Sequence, residues 1–71
     1  MNKKTKYFAS QFYNYSNIDS AITEAEEKRD EFIGNNKNLI SEISFESIQS
    51  LSISNGQSIS LLITLSYYTH E

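Results

Sequence analysis

The chain has 71 residues, no cysteine, one histidine and a formal net charge of -3 at pH 7. This length allows one small domain, and the missing cysteines exclude both a disulfide framework and a thiolate zinc site. The net negative charge argues against a general nucleic-acid-binding protein, which would carry a strongly basic patch.

No apolar run approaches the roughly 18 residues that a helix needs to span a bilayer. The basic segment of residues 1–6 is followed by no apolar segment of the kind found in secretion signals. The abundance of Asn, Lys, Ile, Phe and Tyr is typical of AT-rich genes, such as those of low-GC bacteria and their phages. We therefore expect a soluble cytoplasmic protein without a membrane partner, in the host cytoplasm if it is phage-encoded.

Residues 5–13 are predicted to form the first strand. β-Branched and aromatic residues, which favour strands, predominate in it: Thr5, Tyr7, Phe8, Phe12 and Tyr13. Because aromatic side chains alternate onto both faces, neither face is clearly polar. Residues 1–4, before this strand, are predicted to be a flexible basic arm.

Residues 17–33 are predicted to form an amphipathic helix. Apolar residues recur there at steps of three and four, which is the period of one helix face: Ile18, Ala21, Ile22, Ala25, Phe32 and Ile33. Ser16 or Asn17 can supply the N-cap oxygen, and Gly34 can adopt the left-handed conformation that ends a helix.

From residue 39 the period changes to two, which predicts a hairpin of strands 39–53 and 57–68. The odd-numbered residues of both strands are the more apolar, so we expect them to face the core. A three-residue loop, 54–56, with Gly56 left-handed would place Leu51 opposite Ile59, Phe45 opposite Leu65 and Ile43 opposite Tyr67.

The predicted fold is α+β, with βαββ order, a three-stranded sheet and one helix on one face. The strand order stays open. The uncovered face would expose an apolar patch that includes Ile48, Leu62 and Tyr68, which a monomer seldom leaves in water. We therefore expect a homo-oligomer that forms through this face or through the sheet edges.

The sequence predicts no enzyme, no metal site and no cofactor. His70 is the only imidazole and stands next to the last residue, where a chain seldom holds a catalytic group in place. The serines of the hairpin have no nearby histidine to activate them, and the two glycines cannot form a phosphate-binding loop.

The first segment combines lysines with aromatic residues, which can hold phosphates and stack on a base. If the protein sequesters a small anionic, nucleotide-like ligand, the candidate binding residues are Lys3, Lys4, Lys6, Tyr7, Tyr13 and Tyr15. Copies of this segment in an oligomer could line one pocket. The simpler interpretation is an aromatic strand that completes a small core.

The helix carries an acidic face that could dock on the basic surface of a partner protein. Its candidate residues are Glu24, Glu27 and Glu31. The simpler interpretation is a solvated helix face, because surface helices usually carry charge on the side turned from the core.

The first strand, the helix and segments 39–45 and 59–68 resemble the Cse60-type sporulation proteins and related phage βαββ proteins of low-GC bacteria. This resemblance implies the fold and brings no catalytic residues. The leading hypothesis is a non-catalytic binding protein, phage- or mobile-element-encoded, that inhibits a host factor or defence or sequesters a nucleotide-like signal as a homo-oligomer. The alternative is a structural or sporulation-associated protein that self-assembles.

Overall fold

The computed structural model of the chain describes residues 2–53 and 56–70. It contains strands β1 (Lys3–Ala9), β2 (Tyr13–Asn14), β3 (Ile40–Ile53) and β4 (Ser58–Thr69), and helix α1 (Ile18–Asn35). The protein is therefore α+β. The sheet has four strands rather than the predicted three, and the element order is βαββ when β1 and β2 are taken as two parts of the predicted first strand.

Strand β4 lies at the centre of the antiparallel sheet. Strand β3 pairs with β4 along one edge, while β1 and β2 follow one another along the other edge. This arrangement determines the strand order that the sequence left open: the two outer strands run parallel to each other and are separated by β4.

The predicted first strand is interrupted at Ser10. The Ser10 hydroxyl accepts a hydrogen bond from the Leu61 amide at 2.9 Å, and Ser60 Oγ donates to the Ser10 carbonyl at 2.8 Å. These side-chain bonds replace part of the backbone ladder, so the chain can leave the strand without burying unpaired polar groups. The sequence pattern contains no signal for this exchange.

The prediction of a flexible arm is wrong for Lys3 and Lys4. Both belong to β1 and pair with Tyr68 and Tyr67, respectively. Met1 lies outside the described residues. The chain end is held because the Asn2 carbonyl accepts a hydrogen bond from the Thr69 amide at 2.8 Å.

Helix α1 packs on the odd-numbered side chains of β4. Ala21 and Ala25 are fully buried, and their small side chains let the helix approach the sheet closely. The Phe32 ring lies 5.5 Å from the Phe8 ring and 5.6 Å from the Tyr67 ring, between centroids. The buried residues of β4 in this core are Ile59, Leu61, Ile63, Leu65 and Tyr67.

Both helix caps differ from the predictions. The helix continues through Gly34, so the predicted left-handed cap there is wrong; Asn36 caps the helix with φ -126° and donates from its side chain to the Phe32 carbonyl at 2.7 Å. Asn17 is the N-cap residue but makes no side-chain cap bond. The Asn14 side chain instead accepts from the Ser16 amide at 3.0 Å, in the short 3-10 turn before α1.

The predicted hairpin register is wrong over most of β3. Phe45 lies opposite Ser66 and Leu51 lies opposite Ser60, one residue away from the prediction. Ile43 does lie opposite Tyr67, because a bulge between Ile43 and Phe45 shifts the register. Gly56 is left-handed as predicted, with φ 84°, whereas residues 54 and 55 lie outside the described residues.

The predicted register is wrong because it requires the helix to cover the odd-numbered side chains of β3. The helix packs on β4, β1 and β2 instead. A helix about 10 Å wide covers two strands spaced at about 4.8 Å and leaves the third uncovered. Burial therefore does not select which face of β3 is apolar, and register is weakly specified in such strands.

The position of the core predicts unequal effects for the same substitution in two strands. Leu65 is 1% exposed and Leu51 is 60% exposed. We expect Leu65→Ala to lower the free energy of unfolding by about 2 to 5 kcal/mol, because it leaves a cavity under α1. Leu51→Ala, the matched control, should stay within about 0.5 kcal/mol of the wild type in urea denaturation of dilute protein. Equal losses would contradict the observed core.

Candidate functional site

The exposed apolar surface of the protein is concentrated on β3. Five of the eight exposed large hydrophobic residues among the described residues belong to this strand: Ile43, Phe45, Ile48, Leu51 and Ile53. Their exposed fractions run from 42% to 60%. A concentration of exposed apolar side chains on one strand is more typical of a binding site than of ordinary surface scatter.

These side chains project from both faces of the sheet. Ile48 lies opposite buried Ile63 and so points to the side of α1. Phe45, Leu51 and Ile53 point to the side turned away from α1, which we call the open face, because their partners on β4 are even-numbered and alternate with the odd-numbered core residues under α1. The prediction that these three residues face the core is wrong, and their exposure was not expected from the alternating pattern.

The predicted oligomer face therefore does not exist as one surface. Leu62 and Tyr68 lie on the open face and are half-buried, whereas Ile48 lies on the helix side, where it is 50% exposed. The observed register separates the three residues because it moves Ile48 to the face opposite the one expected.

The backbone of β3 also has outward-facing polar groups. Leu61 turns both its carbonyl and its amide towards Ser10, on the β1 side of β4. Because these groups alternate in direction along a strand, even-numbered residues of β4 turn theirs towards β3. Their partners on β3, from residue 45 to residue 53, are odd-numbered. The amides and carbonyls of Glu46, Ile48, Ser50 and Ser52 therefore point away from the sheet.

We call the outward-facing amides and carbonyls of Glu46, Ile48, Ser50 and Ser52 the β3 edge. Within residues 2–53 and 56–70, β4 is the only strand that pairs with β3. Proteins usually protect an open edge with charges, proline or a short strand. Strand β3 has 14 residues, the chain has no proline, and residues 47–53 carry no charge.

The other edge of the sheet is protected in the usual way. Strand β1 has 7 residues, and three of them are lysines. Lys3 lies with its ammonium 6.0 Å from the Tyr68 ring centroid, and Lys6 lies 5.6 Å from that of Phe32. Charged side chains along a short strand discourage pairing with another chain. The two edges of the sheet therefore differ in their capacity to bind a further strand.

The candidate ligand-binding residues do not converge within one chain. Lys3 and Tyr7 point to the open face, and Lys4 and Lys6 point to the helix side, because residues alternate along β1. Tyr13 faces α1, where its hydroxyl donates to Glu24 Oε1 at 2.6 Å. Tyr15 lies in the 3-10 turn and is 53% exposed.

Glu24 connects the helix to the interruption of the first strand. It accepts hydrogen bonds from Tyr13 and, at 3.0 Å, from the Gln11 amide, and it lies 3.3 Å from the Lys28 ammonium. Lys28 in turn donates to the Ala9 carbonyl at 2.8 Å. The hydrogen bond from Tyr13 lowers the pKa of Glu24, and the same bond raises the pKa of Tyr13. This carboxylate therefore has a structural role.

The predicted acidic docking face is divided by these contacts. Glu24 is held by its partners, while Glu27 and Glu31 are exposed and border two separate depressions, one beside Tyr13 and one beside Phe8. In the part of the chain that the structure describes, no group of three or more His, Cys, Asp or Glu side chains is placed to hold a metal ion. His70 follows the end of β4, and its amide donates to the Leu39 carbonyl at 3.1 Å.

Among the described residues, α1 and the 3-10 turn contain no stretch long and apolar enough to cross a bilayer. Comparisons with protein-family models, with curated proteins and with solved structures found no match. The resemblance to the Cse60-type proteins therefore stays a prediction. The proposed function rests on the geometry of β3 alone.

The Glu24 contacts predict a specific loss of stability in acid. A carboxyl whose pKa is lowered by folding stabilises the folded state above its ordinary value of 4.5, and this contribution is lost as the pH falls through the lowered pKa. We expect Glu24→Gln to be less stable than the wild type at pH 7 and to show a smaller further loss between pH 6 and pH 3. Urea denaturation at several pH values measures both.

Glu27→Gln is the matched control for this experiment. It removes the same charge from the same helix, and Glu27 takes part in no hydrogen bond or ion pair among the described residues. Equal pH profiles for the two variants would show that the Tyr13 and Gln11 contacts of Glu24 do not stabilise the fold.

Proposed function

We propose that this protein is a non-catalytic binding protein that takes up an extended polypeptide as an additional strand along the β3 edge. The observation that supports the proposal is the coincidence, over residues 46–52, of outward-facing backbone groups with exposed apolar side chains. In strand addition, the main chain provides hydrogen bonds and alternate side chains provide specificity.

The side chains of β3 are suited to this mode of binding. An added strand would place its own side chains beside Ile48 on the helix side and beside Phe45 and Leu51 on the open face. Side chains of adjacent strands that lie opposite one another contribute to strand pairing through apolar contact. The absence of charge from residues 47–53 means that an apolar partner strand meets no repulsion or unpaired charge there.

The alternative sites receive less support from the geometry. A nucleotide-binding pocket would need Lys3, Lys4 and Lys6 to converge, and the first two lie on opposite faces of β1. On the acidic face of α1, the Glu24 carboxylate is hydrogen-bonded to Tyr13 and to the Gln11 amide within the chain. Inhibition of a host factor and self-assembly are both compatible with strand addition, and the expected phage or sporulation origin stays a prediction.

A peptide-display selection tests the proposal. The protein is attached sparsely to a surface, so that copies do not meet, and is offered a library of random peptides. We expect enrichment of extended peptides with alternating apolar residues. Ser50→Pro should weaken their binding on the order of tenfold or more, because it removes an outward amide and places a ring against the added strand.

Thr5→Pro is the matched control, since it also replaces an outward amide, on β1 at the opposite edge of the sheet. This variant should bind the selected peptides as the wild type does. Failure to enrich any peptide, or equal binding by the Ser50→Pro variant, would refute strand addition at the β3 edge.

A further inference from the structure

The sequence of β3 is nearly symmetric about Ile48. Three residues away on either side lie Phe45 and Leu51, four residues away lie two serines, and five residues away lie two isoleucines, Ile43 and Ile53. An antiparallel pair of identical strands relates each residue to the one equally distant from the twofold axis. Symmetry of this kind makes a strand complementary to a second copy of itself.

We infer that the β3 edge binds the β3 edge of a second copy of this chain, antiparallel, with the twofold axis at Ile48. This inference rests on the proposed function and names its partner. The arrangement joins two sheets into one continuous sheet in which each β3 is covered by the other.

The backbone directions allow this pairing. Glu46, Ile48 and Ser50 turn their amides and carbonyls outwards, as argued from the contacts of Leu61 with Ser10. With the axis at Ile48, each Ile48 faces its counterpart and each Glu46 faces Ser50 of the other copy. These are hydrogen-bonded pairs of an antiparallel ladder, with about six N–H···O bonds in all.

The side chains also select this axis. It places Phe45 against Leu51 on the open face, in the non-hydrogen-bonded pairs where side chains of an antiparallel ladder approach most closely. It also places Ile48 against Ile48 on the helix side, in the central hydrogen-bonded pair. An axis at Gln49 would place Ile48 against Ser50 and Leu51 against Ser47. An axis at Ser47 would place Glu46 against Ile48. Only the first axis pairs apolar with apolar at every position from 45 to 51 that carries an apolar side chain.

Charge favours the same axis. Glu46 is the only charged residue between residues 43 and 53, and its carboxylate lies 3.0 Å from the Arg29 guanidinium. With the axis at Ile48, the two Glu46 side chains lie four residues apart along the ladder, roughly 13 Å. Each lies beside a serine instead, so the pairing brings no like charges together.

Engineered disulfides test both the partner and the axis. The chain has no cysteine, and Phe45 and Leu51 are exposed, so replacing them leaves the core intact. We expect the double variant Phe45→Cys/Leu51→Cys to form a covalent dimer on mild oxidation, seen by non-reducing electrophoresis, because the two positions face each other across the axis within disulfide reach.

Two variants serve as controls. Phe45→Cys/Ile53→Cys would be linked only with the axis at Gln49, and in Phe45→Cys alone the two sulfurs would start roughly 20 Å apart. Under the same oxidation, neither variant should form more than a small fraction of covalent dimer. No covalent dimer from Phe45→Cys/Leu51→Cys, or equal yields from all three variants, would overturn the inference.

A second measurement needs no cross-link. Because Ser50 faces Glu46 of the other copy, Ser50→Lys in the cysteine-free chain should tighten the dimer and Ser50→Glu should loosen it. Their dissociation constants in sedimentation experiments should differ on the order of tenfold. Equal constants, or a wild-type chain that stays monomeric at high micromolar concentration, would contradict the pairing.

The outcomes separate this inference from the proposed function. A monomeric wild type that binds displayed peptides, with loss of binding in Ser50→Pro, would refute the second copy and leave strand addition standing. A chain that neither dimerises nor binds peptides at β3 would refute both.

Discussion

The packing of α1 on β4 is the interaction on which the rest of the structure depends. Ala21 and Ala25 bring the helix close to a row of buried residues on β4, and Phe32 extends this contact to β1. Helix α1 covers β4 and the edge formed by β1 and β2, because its width matches two strands of a sheet and not three. Strand β3 is therefore held mainly by β4. Its first residue, Ile40, also packs against the core, and Glu46 forms an ion pair with Arg29.

The uncovered strand follows directly from that arrangement. Among the described residues, β3 has an unpaired edge, exposed apolar side chains and no charge from residue 47 to residue 53, a combination that proteins normally avoid. Its opposite number, β1, carries three lysines on 7 residues and is protected. This contrast within one small sheet supports the proposed binding of a further strand at β3, and the symmetry about Ile48 supports the proposed pairing with a second copy.

Polar groups near the first strand make hydrogen bonds within the fold. Ser10 and Ser60 carry the chain through the interruption between β1 and β2, and Glu24 fastens the following segment to the helix through Tyr13 and Gln11. Tyr and Glu side chains are common in binding and catalytic sites, but here Tyr13 and Glu24 are hydrogen-bonded to each other. Tyr13 and Glu24 therefore already have hydrogen-bond partners within the chain.

The class of fold, the helix and both strands of the hairpin could be predicted from the sequence, because the periods of apolar residues are local properties of each segment. The left-handed conformation of Gly56 could be predicted as well. The strand order, the interruption at Ser10 and the register that places Phe45 opposite Ser66 became known only from the packed fold. These features depend on which strands the helix covers. Because α1 does not cover most of β3, the alternation of apolar residues along β3 does not indicate which of its faces lies towards the helix.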